Sequence, residues 1–485
     1  MKNIFKSLFF LLIFFFSSLS ISEDETIIDF SKSEYGEELS AGDGTTLIKT
    51  KNSFSLPLKN IPAERKIDFF VGNGFFKRIW VSSPASTTAS DGLGPLFNSK
   101  TCQSCHLKDG RGHPPKSNWP DDTAVSMVFH LSVPPKNNNE KKLLEEVKLK
   151  SIPDPIYGSQ LSDFSIQGIH SEGKVFIEYE DRVVEFKNGM KVNLKKPIYS
   201  IINLNYGDLQ PDIQISARVA QPMIGLGLIE AIKHKDILAN VDEKDLDNDG
   251  ISGKLNIVWD YQKHEKTFGR FGWKATNPNI LQQSADAFNN DMGLSTTIFK
   301  EPDNCTKKQI ICKSLPNGNS FKHNNVEVSN EQLKLINYYA SHLAVPKRRN
   351  VNKKEVLLGK KIFFNSGCAS CHTQKFKTGN HYSKALSNQV IFPYSDFLLH
   401  DMGVELADKV KEYQAEGHEW RTQPLWGLGL TKTVNGHTNL LHDGRARNIL
   451  EAILWHGGEA EKSKQKVLNL SQEDLDNLLE FLNSL

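Results

Sequence analysis

Cys102-Gln-Ser-Cys105-His106 and Cys368-Ala-Ser-Cys371-His372 repeat one arrangement of two thiols and an imidazole, and together they use four of the six cysteines. This spacing suits covalent haem attachment: two thiols bond the vinyl groups, and the adjacent histidine reaches the iron. A zinc site would need four clustered ligands, and no such cluster surrounds either motif in the sequence. His106 and His372 are therefore the expected proximal axial ligands of two covalently bound haem c groups. The remaining Cys305 and Cys312 flank a short polar loop, Thr-Lys-Lys-Gln-Ile-Ile. In an exported chain that spacing reads as a loop-closing disulfide, because a catalytic dithiol usually has Cys-x-x-Cys spacing.

What occupies the second face of each iron decides what the haem does. A second strong ligand makes an electron-transfer centre, and an open face admits peroxide or another small molecule. Histidine and methionine are the usual second ligands. With 15 His and 6 Met in the chain, position has to choose among them.

Several segments must position these groups. Lys2 and Lys6 precede an apolar run, Leu8 to Phe16, followed by small residues up to Ser22. That is the pattern of a secretory signal peptide, and the run falls short of the ~20 residues of a membrane span. The expectation is a periplasmic or secreted protein with no span after cleavage. Loss of Lys2 and Lys6 takes the formal net charge from +2 to 0, so nothing calls for nucleic acid as a partner. With 485 residues and 38% hydrophobic content, the chain can build several cores.

Alternation at Val175, Ile177 and Tyr179, then Arg182 to Phe186, the Asn188-Gly189 turn and Met190 to Leu194 predict a small antiparallel β-meander. Apolar spacing predicts amphipathic helices over 331–343, 355–364 and 473–482. Asp245, Asp247 and Asp249, alternating before Gly250, read equally as a calcium loop or as a solvated acidic turn; no Glu stands at the twelfth position. The fold expected is mainly α: two cytochrome c-like haem domains with the meander inserted. The parts are a signal peptide at 1–22, a first haem c segment at 23–130 and a mixed α/β insertion with the acidic loop at 131–265. The remainder of the first haem domain follows at 266–346, and a C-terminal cytochrome c domain at 347–485.

Three blocks resemble the bacterial dihaem cytochrome c peroxidases and their relatives that oxidise protein side chains. The first holds Phe271-Gly272-Trp273, Gln283 ten residues on, and Asn289-Asn290-Asp291-Met292-Gly293. It departs from the family in carrying Asp for Glu and in a glutamine-to-acid spacing two residues shorter. The second is Leu399 to Gly403 with Arg421 to Leu425, and the third is His442-Asp443-Gly444-Arg445. Phrases such as Asp91 to Phe97 and His442 to Ala460 look more like a larger branch of dihaem oxidoreductases, labelled thiol oxidoreductases or peroxidases. Roughly residues 115–265 have no counterpart.

The resemblance implies roles. The family's distal methionine lies fourteen residues past the histidine of His-Asp-Gly, and here that position is His456. His456 is thus expected as second axial ligand of the C-terminal haem, ahead of Met402 and His442. No residue matches the distal histidine of the first haem, and His113 and His130 read as bystanders. If that face is open, Asp291 would serve as acid and base and Gln283 would orient the oxidant, with Gln282 a competitor by one residue. Trp273 would relay electrons between the haems; its bland alternative is core packing.

The function implied is a periplasmic dihaem oxidoreductase, peroxidase-like. Electrons from a small cytochrome c or cupredoxin would enter at the C-terminal haem and reach a catalytic N-terminal haem that reduces peroxide. The alternatives are a peroxide-driven oxidase of a protein or organic substrate, and a non-enzymatic dihaem electron-transfer protein.

Overall fold

The computed structural model describes residues 28–87, 89–302 and 304–485, so the signal peptide expected at 1–22 lies outside the described residues. The fold is not mainly α. The described residues are 29% helical and 17% strand, with thirteen α-helices of at most 13 residues and six two-stranded ribbons. Glycines, prolines and Asx turns break the chain so often that no long helical bundle forms, and the haem motifs sit among loops braced by short elements.

The helices that matter are α1 (Lys66–Lys77), ahead of the first motif, α2 (Ile280–Met292), α3 (Asn330–Ser341), α4 (Lys354–Asn365), ahead of the second motif, α5 (Ile449–Trp455) and α6 (Gln472–Ser484). Two crossings repeat one device. At Gly72 of α1 a Cβ would strike the Leu335 carbonyl oxygen of α3, and at Gly359 of α4 one would strike the Asn477 carbonyl oxygen of α6. Glycine lets the paired backbones touch, which seats the helix leading into each haem motif. Helix α3 starts with a full capping box: Ser329 N–H donates to Gln332 Oε1 at 2.9 Å, and Gln332 N–H to Ser329 Oγ at 3.2 Å.

The expected meander is one long hairpin, β2 (Lys174–Glu185) with β3 (Lys191–Ile202), in continuous register from Lys174↔Ile202 to Glu185↔Lys191. Glu178 to Arg182 carries charge at both faces, and the run is exposed on both, so it continues the strand without alternating. A second ribbon pairs β1 (Met127–Ser132) with β4 (Gln214–Val219), His130 opposite Ser216 and Val128 opposite Arg218. An isolated bridge adds Gln160 on the other side of His130.

Two large apolar clusters make the core. One holds Phe76, Phe271, Phe288, Met292, Ile336 and Trp426. The other holds Phe129, Trp273, Phe363, Trp420, Leu478 and Phe481. Each contributes to the lining of one cavity, the first cluster running from Ala41 to Val434 and the second from Ala124 to Leu485. Among the described residues no helix is long and apolar enough to cross a membrane.

Candidate active site

Cys102–Cys105 forms one helical turn, and the His106 N–H donates to the Cys102 carbonyl at 3.0 Å. The second motif repeats this: the His372 N–H donates to the Cys368 carbonyl, also at 3.0 Å. One turn thus gathers two thiols and an imidazole, and each set lines its own cavity. Burial pushes the Cys102 and Cys368 thiols up to about 12 and raises Cys105 and Cys371 as well, so all four stay protonated.

Three histidines share one tether. The His106 Nδ1–H donates to the Gln221 carbonyl at 2.7 Å, that of His372 to the Tyr394 carbonyl at 2.9 Å, and that of His456 to the Ala452 carbonyl at 2.6 Å. A carbonyl only accepts, so each Nδ1 carries the proton and each Nε2 is a bare lone pair. This is how proteins orient imidazole toward a metal. Burial holds all three rings neutral, His372 down to about 4. His456 follows α5, whose first turn Asn448 caps by accepting from Glu451 N–H at 2.9 Å. It lines the second cavity with His372, as do Met402 and His442. His442 stacks on Trp420 at 3.8 Å between centroids. His400, on the same wall, is engaged at both nitrogens, by Glu459 at 2.6 Å and Asp396 at 2.8 Å, which leaves it no lone pair to give.

The first cavity carries a carboxyl. Asp291 is the last residue but one of α2, and its carbonyl accepts Asn98 N–H at 2.8 Å and Ser99 N–H at 3.1 Å. The segment running into the first haem motif therefore fixes this acid in place. Gly293 closes the helix at φ 65°, with the Gly94 backbone packed against it where a side chain would not fit. Burial raises the Asp291 carboxyl to about 6, against the hydrogen bond it accepts from Gln160 Nε2 at 2.8 Å. The amide partner of Asp291 is thus Gln160, which sequence reasoning missed. Gln283 lines the same cavity, its Oε1 accepting from Asn277 at 3.1 Å, while Gln282 turns away to Tyr261 N–H and the Trp259 carbonyl. His130 lines this cavity too; His113 lines neither.

One wall serves both cavities: Arg111, Trp273, Arg421, Gln423 and Pro424 line each. The Trp273 indole N–H donates to the Val219 carbonyl at 2.8 Å, and the Arg111 guanidinium lies 5.5 Å from its ring centroid. Arg111 donates to the Leu441 carbonyl at 2.7 Å, but its buried Nε has no partner. Arg421 donates to the Gly272 carbonyl at 3.0 Å, the Thr422 carbonyl at 3.3 Å and Gln423 Oε1 at 3.0 Å. Burial drags both guanidiniums down to about 10. Buried cations with no hydrogen-bonded carboxylate are costly unless an anion arrives. Haem brings two carboxylates, an apolar ring and an iron that imidazole ligates. Two apolar cavities with bare Nε2 atoms, thiols and unpaired guanidiniums fit that group.

Cys305 and Cys312 are disulfide-bonded, Cys312 lying in the short helix Ile310–Ser314, and neither lines either cavity. In the acidic loop the carboxylates that converge are Asp242, Asp245 and Asp247. Asp249 stands outside that group; its Oδ1 accepts from Ile251 N–H at 2.7 Å.

A family model described as "di-haem oxidoreductase, putative peroxidase" matches residues 35–485. The chain belongs to that family: it is a di-haem oxidoreductase, and two haem groups are its cofactors. No curated protein matches. Among solved structures, Kuenenia stuttgartiensis hydrazine synthase pressurized with 20 bar xenon is similar over 73% of this chain and 90% of its own, at 13% identity and a TM-score of 0.28. That likeness is too slight to bear on fold or function.

Proposed function

We propose that the protein is a periplasmic di-haem c oxidoreductase that reduces peroxide in its first cavity. Electrons would come from a small cytochrome c or cupredoxin on the side of the second. Cys102 and Cys105, and Cys368 and Cys371, would hold the two groups as thioethers, with His106 and His372 as proximal ligands and His456 as a second ligand in the C-terminal cavity. Haem iron supplies one-electron transfer and, where a coordination position is open, peroxide chemistry.

The observation that carries this reading is the asymmetry of the cavities. Each cavity holds two imidazoles bonded at Nδ1, His372 with His456 in the second and His106 with His130 in the first, but the first adds the hydrogen-bonded Asp291–Gln160 pair. A carboxyl raised to about 6 exchanges a proton near neutrality, so Asp291 would take one from one peroxide oxygen and return it to the other. Gln283 would orient the oxidant, and Trp273, on the shared wall, offers an aromatic path between cavities. Stopped-flow mixing of peroxide with the protein and a reduced small cytochrome or cupredoxin tests this. Donor oxidation at two electrons per peroxide is expected, and no turnover with either donor removes the proposal.

A further inference from the structure

His130 lines the first cavity. It stands in β1 with Ser216 opposite on one side and Gln160 on the other. Directly opposed residues in paired strands point to the same face, so His130 stands beside Gln160, the residue bonded to Asp291. Both line the first cavity with His106. The His130 Nδ1–H donates to Glu412 Oε1 at 2.8 Å. Glu412 is buried and, against desolvation, is held well below the usual carboxylate range by Arg218 at 2.8 Å and Lys150 at 3.8 Å. An ionised partner fixes the proton on Nδ1, which leaves Nε2 as the lone pair. Burial and the nearby Arg218 hold the ring neutral, down to about 4.

We propose that His130, oriented by Glu412, accepts the proton of a small protic ligand entering the first cavity. On the reading above, which this inference rests on, that ligand is peroxide. Reduction of peroxide to two waters consumes two protons and two electrons, the electrons coming from the donor protein. Asp291 alone shuttles one proton at a time. In the step assigned here the O–H bond of the ligand breaks and an N–H bond forms at Nε2, with no electron moved. Glu412, a positioning residue, stabilises the imidazolium that results.

Cyanide tests this without peroxide or donor, because hydrogen cyanide must lose its proton to bind ferric haem. Association is followed optically in the wild type and in His130→Gln, with His130→Asn as the second variant should the first not fold. Carbon monoxide binding to the ferrous protein, which involves no proton, is the control. Cyanide association is expected to slow by about 100-fold or more while carbon monoxide is unaffected. Glu412→Gln, which keeps an acceptor for Nδ1 but removes the charge that stabilises the imidazolium, should also slow cyanide association while carbon monoxide is unaffected. An unchanged cyanide rate, equal slowing of both ligands, or cyanide binding gained only on losing His130 would overturn the inference. Peroxide turnover of the wild type is read separately, so its failure removes the peroxidase reading and not the proton acceptor.

Discussion

Gln160 and Asp291 are joined at 2.8 Å across 131 residues of chain, on the wall of the first cavity. The amide holds a carboxyl that burial pushes the other way, to about 6 from 3.8. Asp291→Asn should lower kcat/KM for peroxide by about 100- to 10,000-fold with the haem spectrum intact. Steady-state assays with a reduced donor check this.

The same carboxyl sets a pH dependence of stability. Its native pKa lies above its unfolded value, so its contribution is full below 3.8 and is lost as pH rises through about 6. Over that interval the wild type should lose up to about 3 kcal/mol relative to Asp291→Asn. Denaturant titrations of both proteins at the two ends of the range measure it.

Arg111 puts a guanidinium with no hydrogen-bonded carboxylate on the wall shared by both cavities. Removing a positive charge favours the oxidised, more positive iron. Arg111→Gln should therefore lower both midpoint potentials in a potentiometric titration; a shift in only one would show that the wall is not shared electrostatically.

Trp273→Phe keeps an aromatic ring but removes the indole bond to the Val219 carbonyl. Stability should fall by about 1 kcal/mol. Trp273→Leu should in addition slow donor-driven turnover while leaving cyanide binding unchanged.

Gly359→Ala would press a methyl group into the Asn477 carbonyl where α4 crosses α6. Overpacking of this kind costs about 1–3 kcal/mol, seen as a lower denaturation midpoint.

Much of this site was legible before the fold, and the reason is locality. Each Cys-x-x-Cys-His motif lies within one turn, and Asn188-Gly189 announces its own hairpin. Spacing along the resemblance selects His456, and the fold sets it on the cavity that His372 lines. Gln160, His130 and Glu412 were not legible, because they meet only through the bridge between β1 and residue 160 and through a loop 282 residues beyond His130. No periodicity records such a meeting. The mainly α expectation failed for a related reason. Helical segments such as 331–343 stand out by pattern, whereas the other ribbons have strands of two to six residues, too short for a period to register, and the middle of the long hairpin is exposed on both faces.

If His456 ligates the second iron and the first keeps an open position, the two haems differ in spin state. Low-temperature EPR of the fully oxidised protein tests it most directly. One low-spin signal, converted to high-spin by His456→Ala, is expected together with one high-spin signal already present in the wild type. Two low-spin signals with no high-spin component would contradict it.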